Sequence, residues 1–279
     1  MSTPVHIYSA ESRVRDFRTV VREMIHGLRS SRYVAYRLAR NNIAGSYSQS
    51  VLGFFWDFAD PLILGLVFYF LRQGNVFETG PMNMPYAVFV IYGLLMYQSF
   101  SNATMNTINV LGASRGLITQ QKLPPEALLL SIFMRVSFLS IFRVAVMLLV
   151  SAVTGALSPV GAVGFVLAYP LLILAGMAIG VFLAPFNAVY TDVGRFVGMV
   201  LVPLRFISPV IFPLAGTFFA HTRYVNPFWT LVENLRLLAV HNTMEEPGLL
   251  CIHLGVLLVV GLVGWFIFHV SVPILAERA

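Results

Sequence analysis

A chain of 279 residues with 58% hydrophobic and only 11% charged side chains is too apolar for a soluble domain, in which about 25% are charged. Its net charge of +6 would suit a nucleic-acid binder, but the basic residues stand beside apolar runs, and no nucleic-acid partner is expected. Cys251 is the single cysteine, which excludes an intrachain disulfide. Residues 1–50 are polar and Arg-rich, so no cleaved signal peptide is expected. Within them Val14, Phe17, Val21, Met24 and Leu28 recur at three- and four-residue steps with arginines between, which predicts an amphipathic helix with a basic face. Two placements suit it: the cytoplasmic leaflet, which the basic face favours, or the surface of another protein element. Gly45 and the Ser46–Ser50 stretch are expected to break the pattern.

Six apolar blocks follow, at 54–71, 86–103, 127–153, 159–185, 196–215 and 249–272. A hydrocarbon core of about 30 Å takes roughly 20 apolar residues in a helix. Barrel strands would alternate polar and apolar residues, and these blocks do not, so helices are expected. The fold class is therefore an all-α integral membrane protein with six transmembrane helices. Residues 1–53 form a cytoplasmic N-terminal segment, 54–272 the membrane domain and 273–279 a cytoplasmic tail. Pro124-Pro125 ends a short loop and starts span three, and Gly176 and Gly180 in span four have the small-xxx-small spacing of close helix packing. The last outer loop, 216–248, carries Phe218, Phe219, Tyr224, Phe228, Trp229 and several leucines, too apolar for a solvated loop. Short re-entrant helices are expected there.

Outside the spans, alternate segments carry twelve basic residues on the N-terminal side and three (Arg72, Arg223, Arg236) on the other. The positive-inside rule places both termini in the cytoplasm.

The search for chemistry is mostly negative. Lys122 is the only lysine and no G-x-x-x-x-G-K-[ST] surrounds it, so the chain has no ATP-binding P-loop. The six histidines are scattered without metal-ligand spacing, and no metal is expected. Gly112-Ala113-Ser114-Arg115-Gly116 fits G-x-S-x-G, but no strand precedes it, and a turn is the better reading. Charged residues inside spans are the stronger signal: Arg135 and Arg143 on nearly one face of span three, Arg205 in span five, Asp57 and Asp60 in span one. Such groups either pair structurally or line a polar path for a charged substrate. Trp56, Phe68 and Tyr69 join them as substrate-path candidates, since aromatic rings can stack on sugars, although Trp56 and Trp229 equally suit the interfacial belts.

Tyr36-Arg37-Leu38-Ala39-Arg40-Asn41-Asn42-Ile43, then Tyr47 through Trp56, then Asp60-Pro61-Leu62, resembles the opening of ABC-2-type permeases. The likeness is greatest to the branch that exports capsular polysaccharide, O-antigen and teichoic acid. Ser208-Pro209-Val210-Ile211-Phe212-Pro213 resembles that family's span-five signature, and Asn226-Pro227-Phe228-Trp229 with Arg236 its outer-loop signature. Thr230 and Thr191 depart from its usual residues. The segment from Ser114 to Glu126 looks like the family's cytoplasmic coupling helix, with Ser114, Arg115, Leu117, Ile118, Lys122, Pro124 and Glu126 as contacts to an ATPase subunit. The resemblance implies a homodimeric inner-membrane permease without catalytic site or cofactor of its own. ATP and Mg would sit on a separate nucleotide-binding subunit. The cargo would be a lipid-linked polysaccharide: capsular, or alternatively teichoic acid or O-antigen. Periplasmic and outer-membrane export proteins would be further partners. An intramembrane transferase, with Asp57 and Asp60 on a metal, and a scaffold protein are the readings from other classes.

In a Cys251→Ser background, cysteines at Tyr8, Gln120 or Ala276 are expected to resist an impermeant thiol reagent applied to intact cells. Labelling of any of the three from outside would overturn the orientation.

Overall fold

The computed structural model describes residues 17–47, 53–77, 82–121, 123–214 and 216–277. Val14, Arg13, Arg15, the stretch 48–50, Lys122 and Arg278 lie outside them, as does the side chain of Phe17. Among the described residues every regular element is helical: α1 Phe17–Ser30, α2 Arg32–Tyr47, α3 Gly53–Gln73, α4 Tyr86–Ile108, α5 Val110–Ala113, α6 Arg115–Gln121, α7 Pro125–Val153, α8 Pro159–Val189 and α9 Asp192–Leu204. A 3-10 helix, Phe218–Tyr224, then leads to α10 Pro227–His241 and α11 Pro247–Glu277. Among the described residues, three helices, spanning Pro125–Val153, Pro159–Val189 and Pro247–Pro273, are long and apolar enough to cross a membrane.

Helix starts follow local chemistry. Pro125, Pro159, Pro227 and Pro247 stand at first-turn positions, where a missing N–H costs nothing. Ser158 and Asn226 cap α8 and α10 by accepting hydrogen bonds from Gly161 N and Phe228 N. Asn242 ends α10 in the left-handed region at φ 56°.

Helix α8 is the centre of the bundle, packed on α4, α10 and α11. Its glycines set the spacing to α4. A Cβ on Gly176 would come 2.6 Å from Phe100 O, and one on Gly180 2.6 Å from Thr107 Cβ. The small-xxx-small pattern thus marks the α4–α8 contact.

The fifth apolar block differs from expectation. Helix stops at Leu204, and residues 205–214 run as irregular chain. Pro209 and Pro213 explain the stop, because a proline disfavours α geometry in the residue before it. Gly93 of α4 admits the irregular segment, since any Cβ there would collide with Val210 O.

The N-terminal helices also differ. The buried face is Val20, Met24, Ser31, Ala35 and Ala39, packed against α7, while Leu28 stays 39% exposed. A seam of mostly small residues docks α1 and α2 on α7 of the same chain, while Ile25, Leu28, Tyr33 and Tyr36 stay exposed on the other side. Nor does Gly45 end the helix, which continues to Tyr47.

Gly180→Leu should force α4 from α8 and destabilise the bundle by about 1–3 kcal/mol, the usual cost of overpacking. A lowered melting temperature of the detergent-purified protein measures it; an unchanged one would refute the close contact.

Candidate functional site

One face of α4 is polar. Gln98, Asn102 and Asn106 follow at four-residue steps with Ser101 beside them, so they share a stripe. The stripe borders two cavities that meet at Asn102. The first, of about 360 Å³, lies toward the end of the bundle that carries α1, α2, α5 and α6, the basic end; Ser46, Asp57, Asn106, Arg135 and Arg143 line it. The second, of about 300 Å³, extends from Asn102 along α3, α4 and α9; Asp60, Tyr97, Gln98, Ser101 and Arg205 supply its polar wall.

Arg143 is fully buried, at 0% exposure. Its Nη1 donates to Ser99 Oγ at 3.0 Å, and Ser99 Oγ in turn lies 2.7 Å from Tyr169 Oη and 3.2 Å from Ser140 Oγ. This hydroxyl cluster, drawn from α4, α7 and α8, fixes the guanidinium in the cavity wall. Arg135 is half-buried and donates from Nη2 to Ser46 Oγ at 3.2 Å. The Asp57 carbonyl accepts from Gln98 Nε2 at 2.8 Å, which ties α3 to the stripe. In the second cavity Arg205 Cζ stands 4.9 Å above the Tyr97 ring. Among the described residues, Gln98 Oε1 and Arg205 Nε are shielded and make no hydrogen bond. Both could serve a polar ligand.

The fold therefore brings Arg135, Arg143 and Asp57 to one cavity and Arg205 and Asp60 to the other. It does not bring the aromatic candidates there. Trp56 is 60% exposed beside Phe55. Phe68 packs edge-on against Phe77 and Phe212 at the far end of α3. Tyr69 accepts a hydrogen bond from Gln73. Sequence reasoning passed over Gln98, Ser101, Asn102 and Asn106 because none is charged. Their helical period inside an apolar block was the available signal.

The segment read as a coupling helix, Ser114 to Glu126, holds the short helix α6 and the first residues of α7, with α5 just before it. Ser114 is the one-residue turn between α5 and α6, and Arg115 Nη2 donates to Ala188 O at 3.3 Å. Gly112, Ala113, Arg115 and Gly116 face outward. Ile118 points inward at 8% exposure and Leu117 is half-buried, so Ile118 serves this chain's own core. Pro124 precedes α7. Glu126, 1% exposed, is a structural tie: its Oε1 lies 2.6 Å from His269 Nδ1 and accepts from Trp265 Nε1 at 3.4 Å.

The two late motifs fold onto one another. Asn226 Nδ2 donates to Ser208 Oγ at 2.7 Å, Arg236 Nη2 donates to Pro209 O at 2.6 Å, and Tyr86 Oη donates to Ile211 O at 3.1 Å. Arg236 also lies 3.8 Å over the Phe89 ring. Thr230, one of the departures noted above, pairs with His253 Nδ1 at 2.9 Å. In α10, which is not a span, burial lowers the Arg236 guanidinium to about 10, with Glu233 opposing. Burial raises the Glu233 carboxyl, while Arg236 and the Trp229 N–H pull it back.

No family model matches the chain. Curated relatives do. An O-antigen export system permease protein RfbA of Klebsiella pneumoniae is 25% identical over 80% of this chain and 86% of its own length. One of the same name from Myxococcus xanthus is 24% identical over 69% and 73%. The polysialic acid transport protein KpsM of Escherichia coli is 22% identical over 70% and 76%. The chain is thus related to the permeases of polysaccharide export, as its motifs indicate.

Arg236→Leu should leave the Pro209 carbonyl buried without a donor, a loss of about 1–3 kcal/mol. Tyr86→Phe should cost less, since its neutral hydroxyl makes a weaker bond to Ile211 O than a charged guanidinium makes to Pro209 O. Thermal melts of the two variants test the order; equal and negligible shifts would show that the irregular segment does not depend on these donors.

Proposed function

We propose that this chain is the membrane permease of an ATP-driven exporter that moves lipid-linked polysaccharide across the bacterial inner membrane. The observation that carries it is the row of amide and hydroxyl side chains on α4, flanked by arginines, inside a bundle whose relatives are polysaccharide permeases. Sugars offer hydroxyls that both donate and accept, and a track of Gln, Ser and Asn answers both without tight, charge-fixed binding. Such a track suits a polymer that must move on.

In this reading α3, α4, α7, α8, α9 with its irregular continuation, and α11 are the six spans, and both termini are cytoplasmic. The 3-10 helix and α10 dip into the outer leaflet. Two copies assemble with two copies of a nucleotide-binding subunit that supplies the ATP hydrolysis this chain has no P-loop to perform. The outward-facing residues at the α5–α6 turn, Arg115 foremost, are its contact. The cargo is an acidic, capsular polymer, for which Arg135, Arg143 and Arg205 provide complementary charge. Export of O-antigen is the second reading, favoured by the names of the two O-antigen relatives.

Deletion of the gene should abolish surface polysaccharide and trap polymer inside the cell, with rescue by the wild-type chain. Asn102→Leu should accumulate normally, since it removes polarity from a cavity wall, yet cut export several-fold. Full export by a normally expressed Asn102→Leu chain would remove the α4 stripe from the path.

A further inference from the structure

Three helix ends meet around one buried side chain that lines neither polar cavity. Asn187 stands in the last turn of α8 and is 7% exposed. Its Nδ2 donates to Ile108 O at 3.2 Å and to Asn109 Oδ1 at 3.1 Å, where α4 ends and α5 begins. Its Oδ1 accepts from Gly194 N at 2.8 Å, in the first turn of α9. The last carbonyls and the first N–H groups of a helix have no partner inside it. Asn187 thus serves an orphan carbonyl of one helix and an orphan N–H of another. An amide suits this double duty, because it carries a donor and an acceptor where a carboxylate has only acceptors. Gly194 makes the approach possible: a Cβ there would stand 2.8 Å from Asn187 Oδ1 and 3.2 Å from Asn109 Oδ1.

The junction lies between two parts of the exporter read above. On one side is the α5–α6 turn, with its outward residues. On the other is α9, which supplies Gly198, Leu201 and Val202 to the second cavity and runs straight on to Arg205. Gly194 and Arg205 are about 16 Å apart along that helix, at roughly 1.5 Å per residue. Midway, Tyr97 Oη of α4 donates to Leu201 O at 2.7 Å, so α9 is held at its middle as well as at its start. The turn has a second link to the end of α8, from Arg115 Nη2 to Ala188 O, but that bond is long, at 3.3 Å, and open to water. The buried amide is the firmer connection.

We propose that Asn187 is a positioning residue for transport. It makes the α4–α5 corner, the end of α8 and the start of α9 one rigid piece, so that movement of the α5–α6 turn carries the wall of the second cavity with it. The inference rests on the export reading and adds to it the route by which a push at the basic end reaches Arg205. Asn187 acts only through the helix ends that it joins.

Spin-label distances in the permease assembled with its ATPase subunit test this. In a Cys251→Ser chain one label goes on Val153, at the far end of α7. The second goes on either Ala113 of α5 or Phe196 of α9; all three positions are exposed. Each pair is read without nucleotide and after trapping with ATP and vanadate. In the wild type both pairs should shift. Asn187→Ala should keep the Ala113 shift and ATP hydrolysis, lose the Phe196 shift, and export several-fold less polymer per ATP. If Asn187→Ala does not accumulate, Gly194→Ala decides, since it leaves every polar group in place and crowds the Asn187 amide; the same loss at Phe196 is expected. A Phe196 shift that persists in the variants would overturn the role. So would loss of both shifts together, the mark of a tie that only holds the fold, or a wild-type Phe196 label that stays still while Ala113 moves. An Ala113 label that ignores ATP in the wild type would refute the ATPase contact of the export reading itself, and this role with it.

Discussion

The bundle depends on a stretch of backbone that is not helical in an apolar surrounding. Between Leu204 and the 3-10 helix, carbonyls that a helix would satisfy internally must find donors elsewhere. Irregular chain among apolar side chains needs donors from other parts of the protein. Here the donors are side chains from three elements: Thr222 to Ile207 O, Arg236 to Pro209 O, and Tyr86 to Ile211 O. These bonds make the position of α10 a consequence of the break. Arg236 is buried because its acceptor is, and Phe89 beneath it supplies the ring face that a desolvated guanidinium seeks. The two late motifs are therefore one structural unit, although 12 residues separate Pro213 from Asn226.

That unit bears on α4, whose faces have opposite duties. Toward α8 the backbones approach to the limit that Gly176 and Gly180 allow. Toward α3 and α7 the same helix turns Gln98, Asn102 and Asn106 to cavities. The rigid face positions the polar one. Ser99 joins them: it bonds back to Leu95 O in its own helix and outward to Arg143. A shift of α4 along its axis would move the guanidinium with it.

How much of this was legible in the sequence varied with the physics involved. Blocks four and six, near 159–185 and 249–272, read well because apolar length is a sum over many residues, and α8 and α11 contain them. The break in block five was not read, since hydropathy does not register backbone geometry; Pro203, Pro209 and Pro213 were the signal. The face by which α1 and α2 dock on α7 was not read. A search for large apolar side chains follows Val21 and Leu28, whereas close packing selected Gly27, Ser31, Ala35 and Ala39. Charge singled out Arg135, Arg143 and Asp57, which line one cavity. Aromaticity pointed nowhere in particular: Phe68 belongs to a ring cluster and Trp56 to the exterior. Uncharged amides on α4 escaped notice, though their spacing was plain.

The basic end shows the same economy in another form. Glu126 is buried at the start of α7, and His269 of α11 and Trp265 one turn before it both turn to its Oε1. Glu23 of α1 reaches the other nitrogen of His269 at 3.9 Å. One imidazole therefore joins the first described helix, the third apolar helix and the last. Elements α3 and α9 are held by neutral hydrogen bonds instead: Gln98 of α4 donates to Asp57 O of α3, Tyr97 of α4 donates to Leu201 O of α9, and Gly194 N of α9 donates to Asn187 Oδ1 of α8. Of these two, α3 lines both polar cavities and α9 only the second, with α4 between them. The elements are thus joined in two ways: α1, α7 and α11 through one imidazole–carboxylate cluster, and α3 and α9, which border the polar cavities, through single neutral hydrogen bonds to α4 and α8.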